Sequence, residues 1–182
     1  LVGDLFPCEN WIDSNTLDIA YRYRIRGEKW SCHSTQVLSN FLFPTEATSI
    51  PGLIAEGLIW NKIAEQFKSR FINESLRVYY SDGFNEGVIQ VSAKSQIKQN
   101  CIGGLYGYSV FLNKYLNYVK YDPLTFIKVG ALMTRFYLHC DRPINFQFWP
   151  DQLFGKFWVI ILSPLGLSLY IKDRLFEFLY GP

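Results

Sequence analysis

Apolar and polar positions change period several times along this chain. Between residues 21 and 25 they alternate, with Tyr21, Tyr23 and Ile25 set between Arg22, Arg24 and Arg26. Alternation of that kind predicts a strand with three guanidinium groups on one face and apolar groups on the other. Gly27 interrupts the pattern, and residues 30–37, rich in Ser, Thr and Cys, predict a second strand. After a loop punctuated by Pro44 and Pro51, the apolar residues Leu53, Ile54, Gly57, Trp60, Ile63, Ala64, Phe67 and Phe71 recur at helical spacing. Glu56, Lys62, Glu65 and Lys68 fall between them. That is the pattern of an amphipathic helix, although its end, residues 67–72, fits a strand equally well.

Residues 76–80 and 88–91 read as two strands joined through Asp82-Gly83. Gly103, Gly104 and Gly107 predict a turn, residues 109–121 fit either period, and Asp122-Pro123 predicts another turn. The runs 126–140, 144–149, 157–162 and 167–171 then read as an antiparallel meander. Ser163-Pro164-Leu165-Gly166 has the residue order of a β-turn. Residues 157–171 carry no charge, but 15 residues of helix reach only about 22 Å, short of the roughly 30 Å hydrocarbon core. A hairpin is the expectation there, with shallow membrane insertion as the minor reading.

Composition strengthens the β reading. Of 182 residues, 18% are aromatic, with 15 Phe, 12 Tyr and 5 Trp against one Met, which suits pleated, half-buried surfaces. At 49% apolar and 19% charged the chain can bury a core without relying on disulfides. The expected architecture is mainly β, a β-rich α+β fold. An irregular docking arm over residues 1–20 lays down Leu5, Phe6 and Trp11, and a single antiparallel domain occupies residues 21–182. The start at Leu1 reads as a processed or partial N-terminus.

Charge and motifs exclude more than they assign. The net charge of +2 is interspersed, with no polybasic tract for nucleic acid. Arg22, Arg24 and Arg26 form either a solvated face or a docking face for acidic protein or lipid. The dipeptides Cys32-His33 and His139-Cys140 would each give one ligand to a common site, too few for zinc. Cys32 and Cys140 are instead expected to meet as a disulfide or as packed thiols. No G-x-S-x-G elbow surrounds Ser109, and no phosphate loop follows the glycines. Asp82, Glu86, Asp141 and Asp151 occupy wet, turn-like positions, so no catalytic residue, cofactor or metal is expected. Asn73-Glu74-Ser75 matches a glycosylation acceptor. Trp30, Trp60, Trp149 and Trp158 read as core, or as the lining of an apolar cavity.

The order Gly27-x-x-Trp30, Ser34-Thr35, Ile50-Pro51-Gly52, Phe67-x-x-Arg70-Phe71, Arg77-Val78 and Phe84-Asn85 resembles a family of uncharacterised proteins of cyanobacteria and chloroplasts with lipocalin-like (calycin) barrels. The resemblance covers residues 27–90. It implies a small barrel in a plastid, with no known reaction. With the aromatic and Arg-rich surface, it leads to the expectation of a non-catalytic accessory subunit or assembly factor on a photosynthetic thylakoid complex, photosystem I or II. Such a subunit would be peripheral, without a transmembrane helix, with room for a pigment or lipid at an interface. The alternative is a lipocalin-type carrier of an apolar small molecule; a bilin lyase on the same fold would need an acid or nucleophile that the sequence does not identify.

Overall fold

Helices dominate. A computed structural model describes residues 4–6, 10–27, 31–43, 53–74, 97–140 and 148–180. These form two strands, β1 (Trp11–Ser14) and β2 (Ser69–Ile72). They also form five α-helices: α1 (Thr35–Ser39), α2 (Gly57–Ala64), α3 (Ile97–Tyr115), α4 (Pro123–His139) and α5 (Leu153–Tyr180). A π-helical turn occupies Asp18–Arg22 and a 3-10 turn Leu116–Lys120. The expected barrel or antiparallel sheet is therefore overturned: among the described residues the only sheet is the pair β1–β2. The strands expected at 76–80 and 88–91 lie outside the described residues.

The chain divides into two compact units, Leu1–Phe43 with Ile59–Ile89, and Pro44–Leu58 with Gln90–Pro182. In the first, β1 and β2 are antiparallel, with Trp11 opposite Ile72 and Asp13 opposite Arg70. Phe6, Ile19 and Ile25 form the core, with Ile12 and Phe71 packed on it. The strand expected at 21–25 fails because Asn15 starts a helical turn just before it. Its Oδ1 accepts the amide of Asp18 at 2.7 Å, and its backbone carbonyl accepts that of Ile19 at 3.1 Å. Arg24 then takes φ 56°, which an extended strand does not allow. The second expected strand, 30–37, gives way at residues 35–37 to α1. The amphipathic pattern at 53–71 corresponds to the shorter helix α2, and its ambiguous end is β2.

In the second unit α4 packs against both α3 and α5. Contacts of Cys101 with Cys140 and of Phe111 with Phe126 run α3 antiparallel to α4. Contacts of Phe126 with Trp158 and of Gly130 with Leu162 run α4 parallel to α5. Phe126, Leu112 and Val159 are among the largest fully buried side chains at this junction. Pro123 takes the first turn of α4, where its missing N–H costs nothing. The glycines read as a turn lie inside α3, and two of them, Gly103 and Gly104, serve packing. A Cβ on Gly104 would sit 3.2 Å from the Phe136 ring, and one on Gly103 would collide with the Leu53 backbone.

The expected hairpin at 157–171 is likewise overturned, since α5 runs unbroken through Pro164. Proline there cannot donate to the carbonyl of Ile160. The hydroxyl of Ser163 donates to that carbonyl instead, at 2.8 Å. Gly166 sits under the Ala131 carbonyl and Thr134, where no side chain would fit.

Candidate functional site

The most unusual surface belongs to α5. Successive residues of a helix are about 100° apart, so Gly155, Val159, Leu162 and Gly166 share the side that faces the bundle. Phe154, Phe157, Ile160, Ile161, Leu165, Leu167 and Ile171 lie opposite, and all seven are exposed, from 46% for Leu165 and Leu167 to 60% for Ile160. The helix is thus apolar on both its inner and outer sides. The 27 residues Leu153–Leu179 are long and apolar enough to cross a membrane, yet only 17% of their most apolar window is buried inside the protein.

Behind this surface, α4 and α5 share a polar cluster. Arg135 donates to Asp173 through Nε at 2.5 Å and Nη2 at 2.7 Å. His139 Nε2 lies 3.0 Å from the same carboxylate. With Nε2–H donating to Asp173, Nδ1 of the same ring is buried without a hydrogen-bond partner among the described residues. The rings of His139 and Tyr170 also meet in a T-shaped contact, 4.8 Å between centroids. One carboxylate therefore serves two donors from α4, and the charges of Arg135 and Asp173 cancel where both are largely buried. Lys172 and Arg174, flanking Asp173 in sequence, are exposed.

At the other end of α5, Asn113 of α3 braces the helix entry. Its Oδ1 accepts the backbone N–H of Asp151 at 2.8 Å, its Nδ2 donates to Asp151 Oδ2 at 3.0 Å, and its carbonyl accepts from Gln152 Nε2 at 2.8 Å. Two cavities meet at Trp149. One, about 390 Å³, is lined by Trp149, Pro150, Asp151, Lys156 and Ile160. The other, about 260 Å³, is carbon-lined and bounded by Leu105, Met133, Tyr137, Phe148, Trp149 and Val159 among others.

The residues singled out in the sequence are distributed differently from expectation. Leu5 and Trp11 are exposed, and Arg70 stacks over the Trp11 ring at 3.9 Å. Phe6 is buried in the first unit's core, so it is not a docking residue. Arg22, Arg24 and Arg26 are exposed but share no strand face. The expected pair Cys32–Cys140 does not form: Cys140 is bridged to Cys101, and Cys32 is an exposed free thiol. The chain offers three pairings for four cysteines, and spacing carries no signal that selects this one. Asn73, read as a glycosylation acceptor, uses its side chain to bracket Phe6. It accepts the Phe6 N–H at 2.8 Å and donates to the Phe6 carbonyl at 3.0 Å. Trp158 donates to the Phe126 carbonyl at 2.9 Å, and Trp60 stacks on His33 at 4.6 Å. Among the described residues no three His, Cys, Asp or Glu side chains converge as metal ligands.

Comparison of the chain with protein-family models, with curated proteins and with solved structures finds no match. The functional reading therefore rests on the residues themselves.

Proposed function

We propose that this chain is a membrane-anchored accessory subunit, inserted through α5 and serving a larger membrane complex without catalysing a reaction. The observation that carries the reading is a helix apolar on its inner and outer sides whose outer side is left exposed among the described residues. In water, burying one such leucine or phenylalanine is worth about 1.5–3 kcal/mol, so seven exposed together leave a large driving force for transfer into lipid. Residues 153–171 reach about 28 Å as a helix, close to the hydrocarbon thickness. Within them Lys156, near one end, extends its ammonium towards the headgroups. Lys172 and Arg174 mark the opposite interface, and Asp173 is turned to Arg135 and His139, away from lipid.

This reading replaces the expected peripheral attachment without a transmembrane helix, because the sequence between 157 and 171 is helix and not hairpin. The expected partner class, a large membrane complex, is retained, and Leu5, Trp11, Arg22, Arg24 and Arg26 are its proposed contact residues on the first unit. The photosystem and the plastid rested on the resemblance alone and are not part of the proposal. The lipocalin-type carrier is withdrawn with the barrel.

Alkaline carbonate extraction of membranes from the native source tests the anchor. The protein is expected in the pellet with integral proteins, and the variant Ile160→Lys/Ile161→Lys/Leu165→Lys in the supernatant. Release of the unaltered protein by carbonate overturns the anchor.

A further inference from the structure

The two cavities that meet at Trp149 differ in chemistry in a way that suits an amphiphile. The inner one is walled by Leu105 of α3, Met133 and Tyr137 of α4, Val159 of α5, and Phe148 and Trp149 before α5. Its volume of about 260 Å³ exceeds the roughly 150 Å³ of an apolar cavity that stays dry and takes up benzene. Leu105, Met133 and Val159 are exposed by no more than 3%, so the floor is sealed from water. Of its hydroxyls, that of Ser163 is occupied by the Ile160 carbonyl. Such a chamber offers a ligand contact with carbon and little to bind a polar group.

The outer cavity supplies the missing polar end. Lys156 lines it and is exposed, and its ammonium forms no ion pair or side-chain hydrogen bond among the described residues. Asp151 lies on the same lining, with its carboxylate held by Asn113. The two charges orient an incoming head, with an anionic group drawn to Lys156 and kept from Asp151. Trp149 lines both cavities, which places the lysine-bearing one next to the carbon-lined one.

We propose that this pair of cavities is a binding site for a fatty acid, its carboxylate at Lys156 and its hydrocarbon chain running past Trp149 into the chamber between α3, α4 and α5. The inference rests on the anchoring reading only for the source of the ligand, the surrounding bilayer; the site itself is internal to the three-helix unit.

The test uses the full chain in a maltoside detergent, titrated with a stearic acid brominated at mid-chain, whose bromine quenches a tryptophan that it touches. Saturable quenching is expected in the unaltered protein, with the saturable part lost in Trp149→Phe. Lys156→Gln, at an exposed position that leaves the fold intact, is expected to weaken binding of the acid about five- to tenfold and binding of the matching brominated alcohol less than twofold. Val159→Phe, which fills the chamber, is expected to abolish saturable quenching. Quenching that never saturates, that survives in Trp149→Phe, or that Lys156→Gln weakens equally for acid and alcohol overturns the proposal. None of these outcomes bears on carbonate extraction, so the site and the anchor fail separately.

Discussion

Arg135 and Asp173 are joined by two parallel hydrogen bonds, 2.5 and 2.7 Å long, that tie α4 to α5. Their side chains are exposed by only 17% and 15%, and His139 leans on the same carboxylate. A bidentate pair of this kind fixes both the rotation and the axial register of two helices.

Removing one partner leaves the other charge stranded. Asp173→Asn is expected to destabilise the second unit by about 1.5–3 kcal/mol, the range for hydrogen bonds to charged groups. Replacing both charges, Arg135→Met with Asp173→Leu, is expected to recover most of that loss, because no charge then remains to be solvated. Thermal unfolding followed by circular dichroism in detergent measures both. A double variant as unstable as the single one would contradict the stranded-charge explanation.

Close approach of the same helices depends on Gly166, whose Cβ position lies 2.5 Å from Thr134 Cβ. Gly166→Val is expected to cost about 1–3 kcal/mol through overpacking, more than the few tenths that valine gains over glycine in helix propensity. Gly107, with nothing within 4 Å of its Cβ position, is the control: Gly107→Ala is expected to stabilise slightly in the same melting assay.

The Cys101–Cys140 bridge closes a sequence separation of 39 residues. Chain-entropy reasoning gives such a loop about 4 kcal/mol of stabilisation. Cys101→Ser with Cys140→Ser is expected to lower the melting temperature, whereas Cys32→Ser, at an exposed free thiol, leaves it unchanged. Non-reducing mass spectrometry of peptides from the native protein checks the pairing directly.

In the first unit the hydrogen bond from Arg70, reinforced by its charge, holds the Asp13 carboxyl below the usual carboxylate range. A depressed folded-state pKa means that the pair adds stability above the ordinary carboxylate pKa, about 3.9. That contribution is lost as pH falls through the lower folded value. The pair is exposed, so its effect on overall stability is small and salt-sensitive. Carbon-detected NMR titration is expected to show Asp13 titrating below an unpaired aspartate, and at the ordinary position in Arg70→Ala.

How much of this was legible in the sequence depends on whether a segment has two different faces. The α2 pattern is readable because Ile63 and Ala64 are buried while Glu65, just past the helix, is exposed, which gives the period of 3.6 something to act on; the buried Ile59 falls outside the pattern as read. In α5 both sides are apolar, so the period vanishes, and Pro164 and Gly166 then dominate as turn signals. Their actual roles need a partner to be seen: Ser163 occupying the Ile160 carbonyl, and Thr134 pressing on Gly166. High aromatic content points further towards strands, although Phe111, Phe126 and Trp158 here fill spaces between helices. Pro123 was readable as a boundary, but not as the start of a helix. The cluster at Asp173 draws on residues 34 and 38 positions away, a separation at which nothing local in the sequence links them.

The most direct test of the account is the environment of Ile161, on the outer side of α5. A spin label placed there, with Cys8 and Cys32 replaced by serine and the protein reconstituted in lipid vesicles, reports collision with oxygen and with a water-soluble nickel chelate. High oxygen and low nickel accessibility is expected at residue 161, with the opposite at residue 174. Ready collision with the nickel reagent at residue 161 would place α5 in water and contradict the membrane anchor.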